Sequence, residues 1–237
     1  MIPSSLMRVS PRAFSLIELL VGITIGALLV GLGVPALKGA ITNAHQVQCS
    51  SNMRQIGQGL LLYSGENQGR LPGTAHAGTS FWIEELKPYL GEKYDRVRIS
   101  PCDLKKAERL KNGGTSYVMN GRVNPEAFAN EFGEIDSSEV VHDNLLRMAS
   151  PSRVILLFIV STNKMGTVAS EDHVCGDIAT WSGLRQEVRP DAYSGGSVDG
   201  SHGRANYLFA DGRVEAIPSL RMKQVVEGGT DISKYYP

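Results

Sequence analysis

The sequence predicts an α+β protein in which one long N-terminal helix packs its outer half across an antiparallel β-sheet. Three observations carry this. Residues 14–37 are apolar or small apart from Ser15, Glu18 and Thr24, and an apolar helical pattern continues beyond them to about residue 64. The run Arg153-Val-Ile-Leu-Leu-Phe-Ile-Val160 has no polar break, as expected of a strand covered on both faces. Near the C-terminus, residues 205–210 and 213–217 flank Asp211-Gly212, a strong hairpin signal.

Residues 1–13 carry Arg8 and Arg12, no acid, and prolines at 3 and 11, and read as a short unstructured leader. The apolar run over 14–37 is long enough to cross a bilayer, since about 20 residues at 1.5 Å each span a ~30 Å hydrocarbon core. Such a segment must be helical, because a membrane interior offers its backbone no water. It is longer than the apolar stretch of an ordinary cleaved secretory signal. Two arginines before it, against Lys38 and the distant Arg54 after it, place the amino end inside. Glu18 is its single ionisable residue. A carboxylate there costs roughly 2.5–3.5 kcal/mol on insertion scales, so it either reaches back to water at the helix end or has a partner.

Beyond Lys38, Leu37, Ile41, Ala44, Cys49, Met53, Ile56, Leu60 and Tyr63 recur at three- and four-residue steps, with a phase slip between Ala44 and Cys49. That is one apolar stripe on an otherwise polar helix. Gly65, Gly69 and Pro72 supply the stop. The whole helix, 14–64, would be on the order of 75 Å long, with Pro35 kinking or loosening it. The remaining 65–237 form one head, enough chain for a filled core. Within it, Trp82–Leu90 reads as a short amphipathic helix ended near Pro88, and Thr115–Met119 as a strand closed by Asn120-Gly121. A helical stretch is placed at 139–148, and a mobile glycine-rich loop at 190–203. A two-residue type I′ turn at Asp211-Gly212 would pair Phe209 with Val214 and Tyr207 with Ala216, turning Phe209 and Val214 toward the N-terminal helix.

Composition excludes several functions. With 24 basic and 24 acidic side chains the net charge is zero, and aromatics make up only 7%. Neither a basic footprint nor a stacking platform for nucleic acid is present. The chain lacks a nucleophile elbow, a phosphate loop, a His-Glu-x-x-His and a Cys-x-x-Cys. No enzymatic activity and no cofactor are expected. Three cysteines, 49, 102 and 175, are too few for a disulfide scaffold. Cys49 and Cys102 form one bond if the head is exported, or all three remain buried thiols. His173, Cys175 and Asp177 alternate as metal ligands on a strand would, or belong to a solvated loop. His202 with Asp211 is an acid–base pair or a structural hydrogen-bond partner. Asp191, Asp199 and Asp211 are hard oxygen donors of the kind calcium takes.

The segment Ala13-Phe-Ser-Leu-Ile-Glu18, behind Arg12 and opening the apolar helix, resembles the class III signal of type IV prepilins and type II secretion pseudopilins. The resemblance implies cleavage by prepilin peptidase between Ala13 and Phe14 and N-methylation of Phe14. Glu18 then becomes the fifth mature residue, and Pro35 takes a position where such helices often carry proline. Ala13 stands where the family usually has glycine, which should slow cleavage. Cys-Ser-Ser-Asn-Met-Arg-Gln-Ile-Gly over 49–57, Tyr63, and Asn67-Gln-Gly-Arg-Leu-Pro72 resemble a pseudopilin-related group with a C-terminal signature of His, nine residues, then Asp-Gly. Here eight residues separate His202 from Asp211, while Asn206-Tyr-Leu-Phe-Ala-Asp-Gly212, with Tyr207 and Phe209, agrees well. Pro101-Cys102, Ser116-Tyr117 and Asn120-Gly121 resemble the middle of such proteins, and some major pseudopilins have a calcium-stabilised C-terminal loop.

The resemblance implies a pilin-like fold and a structural role. The chain would wait in the cytoplasmic membrane, single-pass, with its head outside. After processing it would join other pilin or pseudopilin subunits in a filament, Glu18 neutralising the Phe14 amine of a neighbour. The competing reading is a membrane-anchored binding or enzymatic domain that uses the same export signal.

Overall fold

The computed structural model of the chain describes residues 15–74, 81–123, 142, 144–164, 171–174, 178–193 and 197–237. It divides into two units, residues 1–41 and 42–237. Helix α1, Leu16–Glu66, contributes to both and stays helical through position 35, so Pro35 does not end it. In the first unit the large apolar side chains from Leu16 to Leu32 are exposed. Thr24, the polar residue in mid-run, returns its hydroxyl proton to the Leu20 carbonyl at 2.7 Å, which satisfies it within the helix.

In the second unit α1 buries Cys49, Met53, Ile56 and Leu60 completely, at steps of four, three and four. The packed stripe is thus only the outer part of the predicted one, from Cys49 onward; Leu37, Ile41 and Ala44, which the pattern also placed on it, are exposed. The helix runs two residues past the expected stop. Gln68 and Gly69 take positive φ, and the Gly69 N–H bonds the Ser64 carbonyl at 2.7 Å. Gly69 is needed there twice over: a Cβ would fall 2.1 Å from Asn144 Oδ1, the side chain that also donates to the Gln68 carbonyl.

Five strands form one sheet in the order β3-β1-β2-β4-β5: β1 Tyr117–Asn120, β2 Ile155–Ile159, β3 His173–Val174, β4 Arg204–Phe209 and β5 Val214–Pro218. The apolar run supplies β2, buried throughout and central as expected. The sheet is mixed rather than purely antiparallel, because β3 lies parallel to β1.

The hairpin differs from expectation by one residue. Leu208 faces Val214, Tyr207 faces Glu215 and Asn206 faces Ala216. The Gly212 N–H bonds the Phe209 carbonyl at 2.9 Å, Phe209 N–H bonds the Arg213 carbonyl at 2.8 Å, and only Gly212 has positive φ. This is a three-residue loop with glycine in the left-handed position, where type I′ would require positive φ at Asp211 as well. A one-residue slip exchanges the faces of a strand. It is thus Leu208, not Phe209, that meets α1: a Cβ on Gly57 would lie 3.0 Å from Leu208 Cδ1. Phe209 packs on the other face, edge-on to Tyr236 with ring centres 6.0 Å apart, and Tyr207 likewise meets Phe158 at 5.9 Å.

The expected helix at 82–90 is a 3-10 turn, Trp82–Leu86, followed by α2, Lys87–Leu90. Pro88 opens α2 instead of closing the segment, since a first helical turn does not need its N–H. Three further helices matter to the packing: α3 Tyr94–Val97, α4 Lys106–Lys111 and α5 Trp181–Glu187. A last helix, α6 Ser219–Glu227, closes the domain. Of the predicted 139–148 helix only a 3-10 turn at Leu145–Arg147 falls among the described residues.

Candidate functional site

The N-terminal turn of α1 is built by its own sequence. Ser15 Oγ accepts the Ile17 N–H at 3.3 Å, and the Ser15 N–H donates to the Glu18 carboxylate at 3.0 Å. The Glu18 half of a capping box is thus made, while the Ser15 hydroxyl caps one residue earlier, at Ile17, and the arrangement sets a negative charge at the positive end of the helix dipole. Glu18 therefore has a local partner that neither sequence alternative named. The Ser-x-x-Glu spacing that encodes it was present in the chain at 15–18. Ala13 and Phe14, the expected cleavage and methylation positions, lie outside the described residues. One turn further on, α1 is long and apolar enough to cross a membrane, and its described large apolar side chains there are exposed.

The C-terminal signature residues are brought together only in part. Tyr207 and Phe209 are buried on the sheet face away from α1, and Gly212 closes the hairpin loop beside α1, where a Cβ on it would lie 3.8 Å from Leu61 Cδ1. Asp211 sits in that loop and accepts the Arg213 N–H at 3.0 Å. His202 precedes β4 at its far end and is exposed, its N–H donating to Ser197 Oγ at 3.1 Å. The six residues of β4 separate the two by roughly 20 Å at 3.3 Å each, so they form no acid–base pair.

The three aspartates do not converge. Asp199 accepts from Ser201 N–H and Oγ and from Lys223 Nζ at 3.1 Å, and these donors hold its carboxyl well below the usual range. Asp191 lies 3.9 Å from Arg189 Nε, and Asp211 lies 3.8 Å from Arg213 Nε. The ammonium and guanidinium groups occupy the space a cation would need. Among the described residues no group of three or more His, Cys, Asp or Glu side chains is arranged to hold a metal ion. Of His173, Cys175 and Asp177 only His173 is described, fully buried in β3 with Nδ1 3.1 Å from Asp172.

That Asp172 is a site sequence reasoning missed. Its carboxylate accepts the Trp82 N–H at 2.8 Å, and its carbonyl accepts the Trp82 indole N–H at 2.9 Å and the Met119 N–H at 2.9 Å. Burial raises its pKa, and His173 and Trp82 only partly offset this. A second buried polar group is Arg109, whose Nε stands 2.8 Å from Asp103. Both clusters tie loops to the sheet.

The expected Cys49–Cys102 pair is present as two free thiols. Cys49 is wholly buried and accepts from the Tyr117 hydroxyl at 3.6 Å, while Cys102 is half-buried with Sγ 3.4 Å from His45 Nδ1. Burial pushes both thiols up.

No curated protein and no solved structure matches the chain significantly. Residues 10–34 match the family described as the prokaryotic N-terminal methylation motif. The chain thus carries a type IV pilin-like export signal, over the same residues that open the capped, exposed, membrane-length helix.

Proposed function

We propose that this protein is a structural pilin-like or pseudopilin subunit of a type II secretion or type IV pilus-like filament, and that it is not an enzyme. The observation that carries the reading is the methylation motif at 10–34, set on a helix whose large apolar side chains from Leu16 to Leu32 are exposed. Prepilin peptidase cuts before Phe14 and the new amine is methylated. The exposed apolar half of α1 holds the subunit in the inner membrane, head outward, until it packs against its neighbours' helices in the filament. A close opposite charge makes burial of the Phe14 amine tolerable, and Glu18 supplies it.

Mass spectrometry of the protein from native membranes tests processing directly. The mature chain should begin at Phe14 and bear an N-methyl group; an intact leader in cells with active peptidase overturns the reading. Shearing the cells then separates filament from anchor. A subunit is recovered in the sheared fraction, whereas a processed protein found only in membranes is an anchored domain.

A further inference from the structure

The segment 96–102 runs along α1 beside the buried thiol. Asn52 Nδ2 donates to the Ile99 carbonyl at 3.0 Å and the Arg96 carbonyl at 3.4 Å, and Cys102 Sγ lies 3.4 Å from His45 Nδ1. His45, Cys49 and Asn52 follow one another at steps of four and three, and so share one face of α1. The segment thus touches α1 on both sides of Cys49, and Ser100, two residues before Cys102, lies beside the Cys49 thiol. We propose that Cys49 and Cys102 are a dithiol that closes to a disulfide, stapling the 96–102 segment to α1 and fastening the head to its own helix.

The chemistry needs an external disulfide as oxidant, either a small molecule or a disulfide-exchange protein. Cys102, half-buried, is the thiol it can reach, whereas Cys49 is wholly enclosed. His45 takes the Cys102 proton. The thiolate attacks the oxidant, whose S–S bond breaks, and one thiol leaves with a proton. Cys49 then attacks Cys102 Sγ; its proton goes to the second leaving thiol as the protein S–S bond forms. Two protein thiols give up two electrons and two protons, and one disulfide becomes two thiols. Burial disfavours the Cys102 thiolate, and Arg189, its Nη1 3.2 Å from the Cys102 carbonyl, offsets this only in part. The bond would close a loop from residue 49 to residue 102, long enough to remove much freedom from the unfolded chain.

The test uses the full chain in detergent, equilibrated with oxidised glutathione or with dithiothreitol. Oxidation should remove two alkylatable thiols and yield a Cys49–Cys102 linked peptide on digestion. The melting temperature should rise by about 5–15 °C over the reduced protein. Cys102→Ser, a change at a half-buried site, should melt like the reduced protein and lose all redox dependence; Cys175→Ser should behave as wild type. Thiols that stay free, a link to Cys175, or a link only between chains overturns the proposal. The extracytoplasmic placement it rests on is read separately, by alkylating intact cells. A pair that closes with glutathione in detergent but stays reduced in cells supports the dithiol and counts against the outward head.

Discussion

Glutamine at position 18 keeps the carbonyl oxygen that accepts the Ser15 N–H but removes the charge, whereas alanine removes both. The capping box thus separates the local role of Glu18 from its role toward a neighbour. On the proposed assembly, in which Glu18 is the counter-charge of a neighbour's Phe14 amine, Glu18→Gln should insert and be cleaved normally yet be poorly recovered in sheared filaments. Equal recovery of wild type and Glu18→Gln removes the charge from assembly. Glu18→Ala should in addition fray the first turn, costing about 0.5–2 kcal/mol of helix stability. A second residue-scale expectation is set at Gly212, with φ 84°. Gly212→Val forces a β-branched residue into the left-handed region, at a cost of about 1–3 kcal/mol, read as a lower urea midpoint of the detergent-solubilised chain.

Among the elements, the hairpin decides which side of the sheet α1 uses. Leu208, wholly buried, presses on the helix where Gly57 lets it approach. Leu208→Ala should cost about 2–5 kcal/mol and loosen the contact with α1, seen as faster hydrogen exchange in residues 49–60. Phe209→Ala should cost as much but leave that exchange unchanged, since Phe209 faces Tyr236. The helix stripe, the central position of β2 and the hairpin were all legible, because each rests on a periodicity or on glycine chemistry written locally. The face of the hairpin was not. Asp-Gly serves a two-residue and a three-residue loop alike, and only the pairing with β2 selects between them. Pro88 was misread for a similar reason: the same ring that ends one helix begins another. At α6 only the end carried a local signal, Gly228; the start has no capping side chain, since Pro218 holds the N-cap and the Ser219 hydroxyl donates to the Pro190 carbonyl instead.

For the molecule as a whole, stability depends on buried polar groups that tie loops to the sheet. Asp172 is the clearest case. Its folded pKa is raised by burial, so the folded state holds the proton more tightly than the unfolded one. The stability this contributes is complete below the unfolded value of 3.8 and is lost as pH rises through the raised folded value. Comparing wild type with Asp172→Asn in urea at several pH values, the difference should shift in favour of wild type as pH falls from neutral toward 4. A difference that does not change with pH would mean that the carboxyl titrates alike in both states. No sequence pattern marks this residue, because its partners Trp82 and Met119 are brought to it by the fold from 90 and 53 positions away. The N-terminal signal is the opposite case, complete within residues 10–34 and independent of the head.

The sheet order has one more consequence. Among the described residues its two edges are β3, His173–Val174, and β5, which ends in Pro218 and carries Glu215 ion-paired to Arg213. A short edge, a missing N–H and charged side chains are the features that keep strands from recruiting strands of other molecules. Heads brought close together at high concentration are thereby protected from pairing edge to edge, and any contact between them is left to side-chain surfaces rather than to unpaired backbone.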